Sequence, residues 1–127
     1  MALNKVVLDK KVHSGRVISI GKDGSFLIST ELSDEIRNIK NLSVEFYQDD
    51  VVKSNWYLRF GSLCEIKVTQ KDDRSFAFYS KEIRRKIFNS LGKNESSFGR
   101  VRIRVGKEIV KEKIKVYPLI TANIIEL

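Results

Sequence analysis

Residues 21–36 read GKDGSFLISTELSDEI, and fifty residues further on the pattern returns in residues 71–87, KDDRSFAFYSKEIRRKI. Ser25-Phe26 corresponds to Ser75-Phe76. With one inserted residue, Ser29 matches Ser80, Leu32 matches Ile83 and Ile36 matches Ile87. A pattern repeated at a fixed spacing marks a duplicated structural unit. Before each copy stands a β-branched stretch, RVISI and CEIKV, as strands require. GKDG and QKDDR are turn chemistry, because Gly and Asp tolerate the backbone angles of tight turns. SFLIS and SFAFY follow as second strands. The period of two puts Phe26 with Ile28, and Phe76 with Phe78, on one face.

A helix comes next in each copy. Ser80 is placed to cap the second helix, Ile83, Ile87 and Leu91 form its apolar stripe, and Gly92 stops it. Ser29 or Thr30 opens the first, with Leu32, Ile36 and Ile39 as its stripe. Two strands close each unit: LSVEFYQ and NWYLRF, joined by DDVVKS, then GRVRIRV and KIKVYPLI. The order β-β-α-β-β, twice, predicts a mainly β (α+β) protein. Its two tandem units, residues 1–61 and 62–127, pack as a pseudo-symmetric barrel or a pair of sheets in one compact domain. The predicted core is Phe26, Ile28, Leu32, Ile36, Trp56, Leu58, Phe76, Phe78, Ile83 and Ile87.

KDGSFLISTELSDEI, followed by LSVEFYQDD and WYLRF, resembles the swapped-hairpin β-barrel of AbrB/SpoVT/MraZ-like DNA-binding proteins over residues 15–60. The chain departs from that pattern at Thr30, where the family has Pro, and at IKNLS, where it has a Gly-Asp turn. The resemblance implies DNA binding through basic residues near the first strands and turn, positions matched here by Arg16 and Lys22. A duplicated β-β-β-β-α architecture of the Pur-alpha or whirly single-strand-binding kind is the competing fold. It requires the helix to close each unit.

Composition sets the class. The chain has 127 residues, 42% of them apolar and 31% charged, with one Pro and seven Gly. That is a globular balance, without the bias of a disordered chain. No apolar run approaches a membrane span. MALNKVVLDKK lacks the apolar stretch of a secretory signal, and Cys64 alone permits no internal disulfide, so a cytoplasmic location without membrane contact is expected.

The charge is lopsided. Residues 1–60 hold nine Lys/Arg against eight Asp/Glu, a net of +1; residues 61–127 hold fifteen against eight, a net of +7. A basic half points to an anionic partner. Catalytic chemistry is poorly supplied. His13 is the single histidine and lies in no motif, so a Ser-His-Asp or Cys-His set has only one imidazole to use. Cys64 has no Cys-x-x-Cys partner, and Asp49-Asp50 and Asp72-Asp73 sit in turn-like segments. No catalytic residue, metal or cofactor is expected, and the protein is read as a non-enzyme.

The alternating cations carry the functional expectation. In GRVRIRVGKEIVKEKIKVYPLI, residues 99–120, Arg100, Arg102 and Arg104 alternate with apolar residues, and so do Lys111, Lys113 and Lys115. If the stretch folds into a hairpin turning at GKEI, Arg104 faces Lys111, Arg102 faces Lys113 and Arg100 faces Lys115. Like charges directly opposite cost up to about 1 kcal/mol per pair, and screening only reduces that. A ribbon carrying cations alone suits anionic phosphates. Arg84, Arg85 and Lys86 are expected to fan over the exposed side of the second helix. Tyr57 and Arg59 share the wetter face opposite Trp56, Leu58 and Phe60. The expected function is nucleic-acid binding, DNA ahead of RNA, as a transcription regulator or DNA-architecture protein able to form a homo-oligomer. The alternative is a structural subunit whose basic face meets an acidic protein.

Overall fold

The computed structural model describes residues 15–127. Its elements, in chain order, are β1 (Val17–Ile20), β2 (Ser25–Ile28), α1 (Thr30–Ile36), β3 (Ser43–Gln48), β4 (Trp56–Gly61), β5 (Ile66–Lys67), β6 (Thr69–Gln70), β7 (Phe76–Tyr79), α2 (Lys81–Ser90), a 3-10 turn (Glu95–Ser97), β8 (Val101–Val105), β9 (Ile109–Lys111) and β10 (Ile114–Glu126). The strands pair antiparallel in the order β5-β3-β4-β10-β8-β1-β2-β7-β6, with β9 beside β10. β5 and β6 stand at opposite ends of that order, yet only Val68 separates them in the chain. Residues 66–70 therefore pair with β3 on one side and β7 on the other, and the sheet rolls into a nearly closed barrel. Closure removes the unpaired edges that an open sheet exposes.

The alternation of apolar residues decides which face points inward. Ile18 and Ile20 of β1, Phe26 and Ile28 of β2, Phe76 and Phe78 of β7, and Val101, Ile103 and Val105 of β8 are all buried in one core. Leu32 and Ile36 of α1 and Ile87 and Phe88 of α2 join it. Of the ten expected core residues, Ile83 alone is half-buried. Both helices start at the expected serines: Ser29 Oγ accepts from Leu32 N–H at 3.5 Å, and Ser80 Oγ from Ile83 N–H at 3.1 Å. Trp56, 4% exposed, is core, and its Nε1–H donates to Ser90 Oγ at 2.8 Å, tying β4 to α2. Asp49 and Asp72 cap their turns by accepting from backbone N–H groups two and three residues on.

Each helix lies between strands rather than after the last of four, which removes the β-β-β-β-α arrangement. The stretch CEIKV is not one strand. Val68 turns into the core and donates its N–H to Leu42 O at 3.0 Å, so the chain changes pairing partner there and leaves only two-residue strands on either side. Among the described residues no helix is long and apolar enough to cross a membrane.

Candidate nucleic-acid interface

The hairpin expected in residues 99–120 forms between other strands, β9 and β10, while β8 pairs with β1 and the later part of β10. Its tight turn is Glu112-Lys113, not GKEI: Lys111 pairs with Ile114, Val110 with Lys115 and Ile109 with Val116. Glu112 and Lys113 both take positive φ, 50° and 69°, the geometry of a two-residue hairpin loop. Gly106 is not a turn residue. Its N–H donates to Pro118 O at 2.8 Å, and a Cβ at this position would come within 2.8 Å of Pro118 Cγ. Glycine is there because the Pro118 ring occupies the space a Cβ would need.

The new register dissolves the three like-charge pairs. Arg104 stands between Val17 of β1 and Ile120 of β10, and Arg102 between Ser19 and Ile125. Lys113 is in the turn, Lys115 faces Val110, and both are exposed. The arginines of β8 remain together on its outward face, since Val101, Ile103 and Val105 point inward.

Arg84 corrects a second expectation. It is 1% exposed, not part of a solvated face. The buried face of α2 is Arg84, Ile87 and Phe88, because the segment 95–99 packs over it. One guanidinium nitrogen, Nη2, donates to the carbonyls of Glu95, Phe98 and Gly99 at 3.3, 2.9 and 3.1 Å. The guanidinium lies 4.7 Å from the Phe88 ring centroid, and Nε is 3.6 Å from Glu95 Oε2. Burial pulls its pKa down, while the Glu95 and Asp23 carboxylates oppose the fall. Arg84 is a clamp on three carbonyls. Arg85 and Lys86 are exposed, and Lys86 pairs with Glu82 at 3.1 Å.

Tyr57, Arg59 and Lys111 lie elsewhere, and the two cations are engaged with acids. Lys111 Nζ donates to Tyr57 Oη at 3.0 Å and lies 3.7 Å from Asp49 Oδ2. The Tyr57 hydrogen bond, more than Asp49, raises the Lys111 pKa. Arg59 pairs with Glu45 at 3.3 Å, and Tyr47 Oη–H donates to the same carboxylate at 2.7 Å. Hydrogen bonds from Cys64 and Tyr47 hold Glu45 below the usual carboxylate range. The adjoining cleft, about 280 Å³, is lined by Asp49, Asp50 and Glu112 as well as Lys111, so it is no simple anion site.

The cations thus sort by partner. Arg16 pairs with Glu35, Arg37 with Asp34, Arg59 with Glu45 and Arg84 with Glu95. Among the described residues, Arg74, Arg85, Arg100, Arg102 and Arg104 have no carboxylate within ion-pairing distance; the last three are the ones set in a row. Arg102 Nε is enclosed and has no acceptor there either. Two recesses flank these side chains. One, about 320 Å³, is lined by Val17, Ser19, Leu27, Ser29, Arg100 and Arg102, with one carboxylate, Glu31, at its wall. The other, about 160 Å³, adds Lys71 and Ala77 and shares Ser19, Leu27 and Arg100. Sequence reasoning does not single out Lys71, because its place beside Arg100 depends on the pairing of β6 with β7. His13 lies outside the described residues. Among those residues no group of His, Cys, Asp or Glu is arranged to hold a metal.

Comparison of the chain with protein-family models, with curated proteins and with solved structures gives no match.

Proposed function

We propose that the protein is a non-enzymatic nucleic-acid-binding protein that holds the phosphate backbone on the outer face of β8, with DNA ahead of RNA as its ligand. The observation that carries this is the sorting of the arginines. Four arginines have carboxylates; among the described residues Arg74, Arg85, Arg100, Arg102 and Arg104 have none, and only the last three stand in a row, on β8 and the residue before it. Unneutralised guanidiniums set in a row are suited to phosphates, which they bind through paired N–H donors. Arg85, Lys113 and Lys115 are exposed and add to the basic surface.

The architecture supports a barrel built from two related β-β-α-β-β units, as in the swapped-hairpin proteins that residues 15–60 resemble. Exchanging β1 with β5/β6, β2 with β7, β3 with β8 and β4 with β10 maps the neighbour order onto itself. The register follows the same exchange. Phe26 pairs with Phe78 and Ile28 with Phe76; Leu58 pairs with Tyr117 and Trp56 with Leu119.

Fluorescence-anisotropy titration of labelled duplex DNA at several salt concentrations tests the function. Arg100→Gln/Arg102→Gln/Arg104→Gln removes about three phosphate contacts, so the log–log salt slope flattens by roughly 2.7. All sequences weaken alike, because phosphate contacts position without specifying. Unchanged affinity and slope overturn the proposal. The second reading, a subunit meeting an acidic protein, rests on Ile120 and Ile125. They are 39% and 41% exposed and stand beside Arg104 and Arg102. A stable assembly indifferent to nucleic acid favours it.

A further inference from the structure

What flanks the β8 arginines narrows the ligand. The outward face of four neighbouring strands, β8, β1, β2 and β7, is continuous: Arg102 lies beside Ser19, Ser19 beside Leu27, and Leu27 beside Ala77. These strands span three inter-strand spacings, about 14 Å. The middle of this face carries Ser19, Ser25 and Ala77, with Leu27 among them as its one larger side chain, so the floor is low and partly apolar. Cations occupy both sides of it. Arg100 and Arg102 rise from β8 and its approach, and Lys71, in the turn after β6, shares a recess with Arg100. Ser19 points outward yet is only 7% exposed, in the floor of both recesses.

Tyr79 completes the face. It follows Ala77 by two residues, so it points outward with it, beside Ser25. Its neighbours Phe76 and Phe78 are buried, while Tyr79 is 55% exposed. An aromatic ring on the surface of a strand beside a cationic recess is a stacking platform next to phosphate anchors. A duplex buries its bases against each other and offers this ring nothing to stack on. A single strand offers unstacked bases and a backbone thin enough for a shallow 14 Å trough.

We propose that the outer face of β8, β1, β2 and β7 is a platform for single-stranded nucleic acid, with phosphates on Arg100, Arg102 and Lys71 and a base on Tyr79. This rests on the nucleic-acid reading above and names its ligand class.

The test compares three labelled probes, a twelve-residue oligothymidylate, a twelve-residue oligouridylate and a twelve-base-pair duplex, on the full chain at matched salt. At least one single strand is expected to bind about tenfold or more tightly than the duplex, and an oligodeoxyuridylate of the same length, which differs from the oligouridylate only at the 2′ position, identifies the sugar. Tyr79→Ala weakens that single strand about fivefold or more and leaves the duplex unmoved. Tyr79→Phe keeps the ring and restores binding. Tyr79 is outside the core, and circular dichroism checks that the variants fold. Duplex binding equal to or tighter than both single strands, or an unchanged single-strand affinity in Tyr79→Ala, overturns the platform and leaves the nucleic-acid reading standing. Failure of all three probes to bind overturns both.

Discussion

The Phe26 ring lies on the Phe78 ring, with centroids 4.6 Å apart and planes 16° from parallel. The two residues are direct register partners across β2 and β7, one of the strand pairs that join the first half of the chain to the second. Phe46 meets both rings from the side, at 5.8 and 5.9 Å. Phe78→Ala opens a cavity at this junction and is expected to cost about 3–5 kcal/mol. Urea unfolding reads the loss as a lower midpoint at unchanged slope. A double-mutant cycle with Phe26→Leu and Phe78→Leu should return a coupling of about 0.5–1.5 kcal/mol. Additive changes would mean that the rings fill space without recognising each other.

Much of this junction was legible in the sequence, because it rests on local rules. Alternation alone assigns Phe26, Ile28, Phe76 and Phe78 to the inside, and Ser29 and Ser80 announce the helix starts. Register is another matter. β8 pairs with β1, and Ile103 meets Ile18 across most of the chain; no short-range pattern specifies that. Glu112-Lys113 carries no turn signature, whereas GKEI does, so the hairpin was drawn with its turn at the wrong place and Arg faced Lys. Arg84 escapes the sequence pattern for a related reason. The face that α2 buries is set by residues 95–99 folding back over it, and a helical stripe read from Ile83, Ile87 and Leu91 omits Phe88.

The turn residues give a direct check on that register. Two consecutive side chains at positive φ are strained, and Asn-Gly is the pair that relaxes a loop of this type. Glu112→Asn/Lys113→Gly is therefore expected to stabilise the protein by about 1–2 kcal/mol. Gly106→Ala should act in the opposite sense, because its methyl group would press on Pro118 at 2.8 Å. Thermal unfolding of the two variants separates the alternatives. If Gly106→Ala were harmless and the Asn-Gly variant unstable, the turn would lie at GKEI after all.

Tyr117 makes stability depend on alkaline pH. The side chain is 5% exposed and packs edge-on against Phe60 at 5.8 Å. Burial first, and then the Glu35 carboxylate, push its hydroxyl up to about 12. In the unfolded chain it titrates near 10. The folded state therefore keeps the proton longer. Its contribution is complete below about pH 10 and is lost as pH rises towards 12, where the unfolded state gains by ionising. Urea midpoints measured at pH 9 and pH 11 should fall for the natural chain, and Tyr117→Phe should fall less. An equal fall in both proteins would assign the alkaline loss to other groups.

Arg84 separates the cations that build the scaffold from those offered to a ligand. Its guanidinium is the partner of three carbonyls that no strand satisfies, and it is stacked on Phe88. Arg84→Ala takes the side-chain donor from the Phe98 and Gly99 carbonyls, leaves Glu95 O with only its bond from Phe98 N–H and empties the space on Phe88, and a loss of about 2–5 kcal/mol is expected. Arg84→Lys should recover little, since an ammonium has neither the planar fork nor the stacking surface. Arg85→Ala, one residue along on the exposed side, should stay within about 0.5 kcal/mol. Binding should respond in another way. At a temperature where it remains folded, Arg84→Lys keeps the natural salt slope, whereas the β8 triple glutamine variant loses slope while keeping its unfolding midpoint. That midpoint is expected to hold because Arg100, Arg102 and Arg104 face no like charge across the ladder and clamp no carbonyl among the described residues. A slope flattened by Arg84→Lys in a folded protein would place this guanidinium in the interface and remove it from the scaffold.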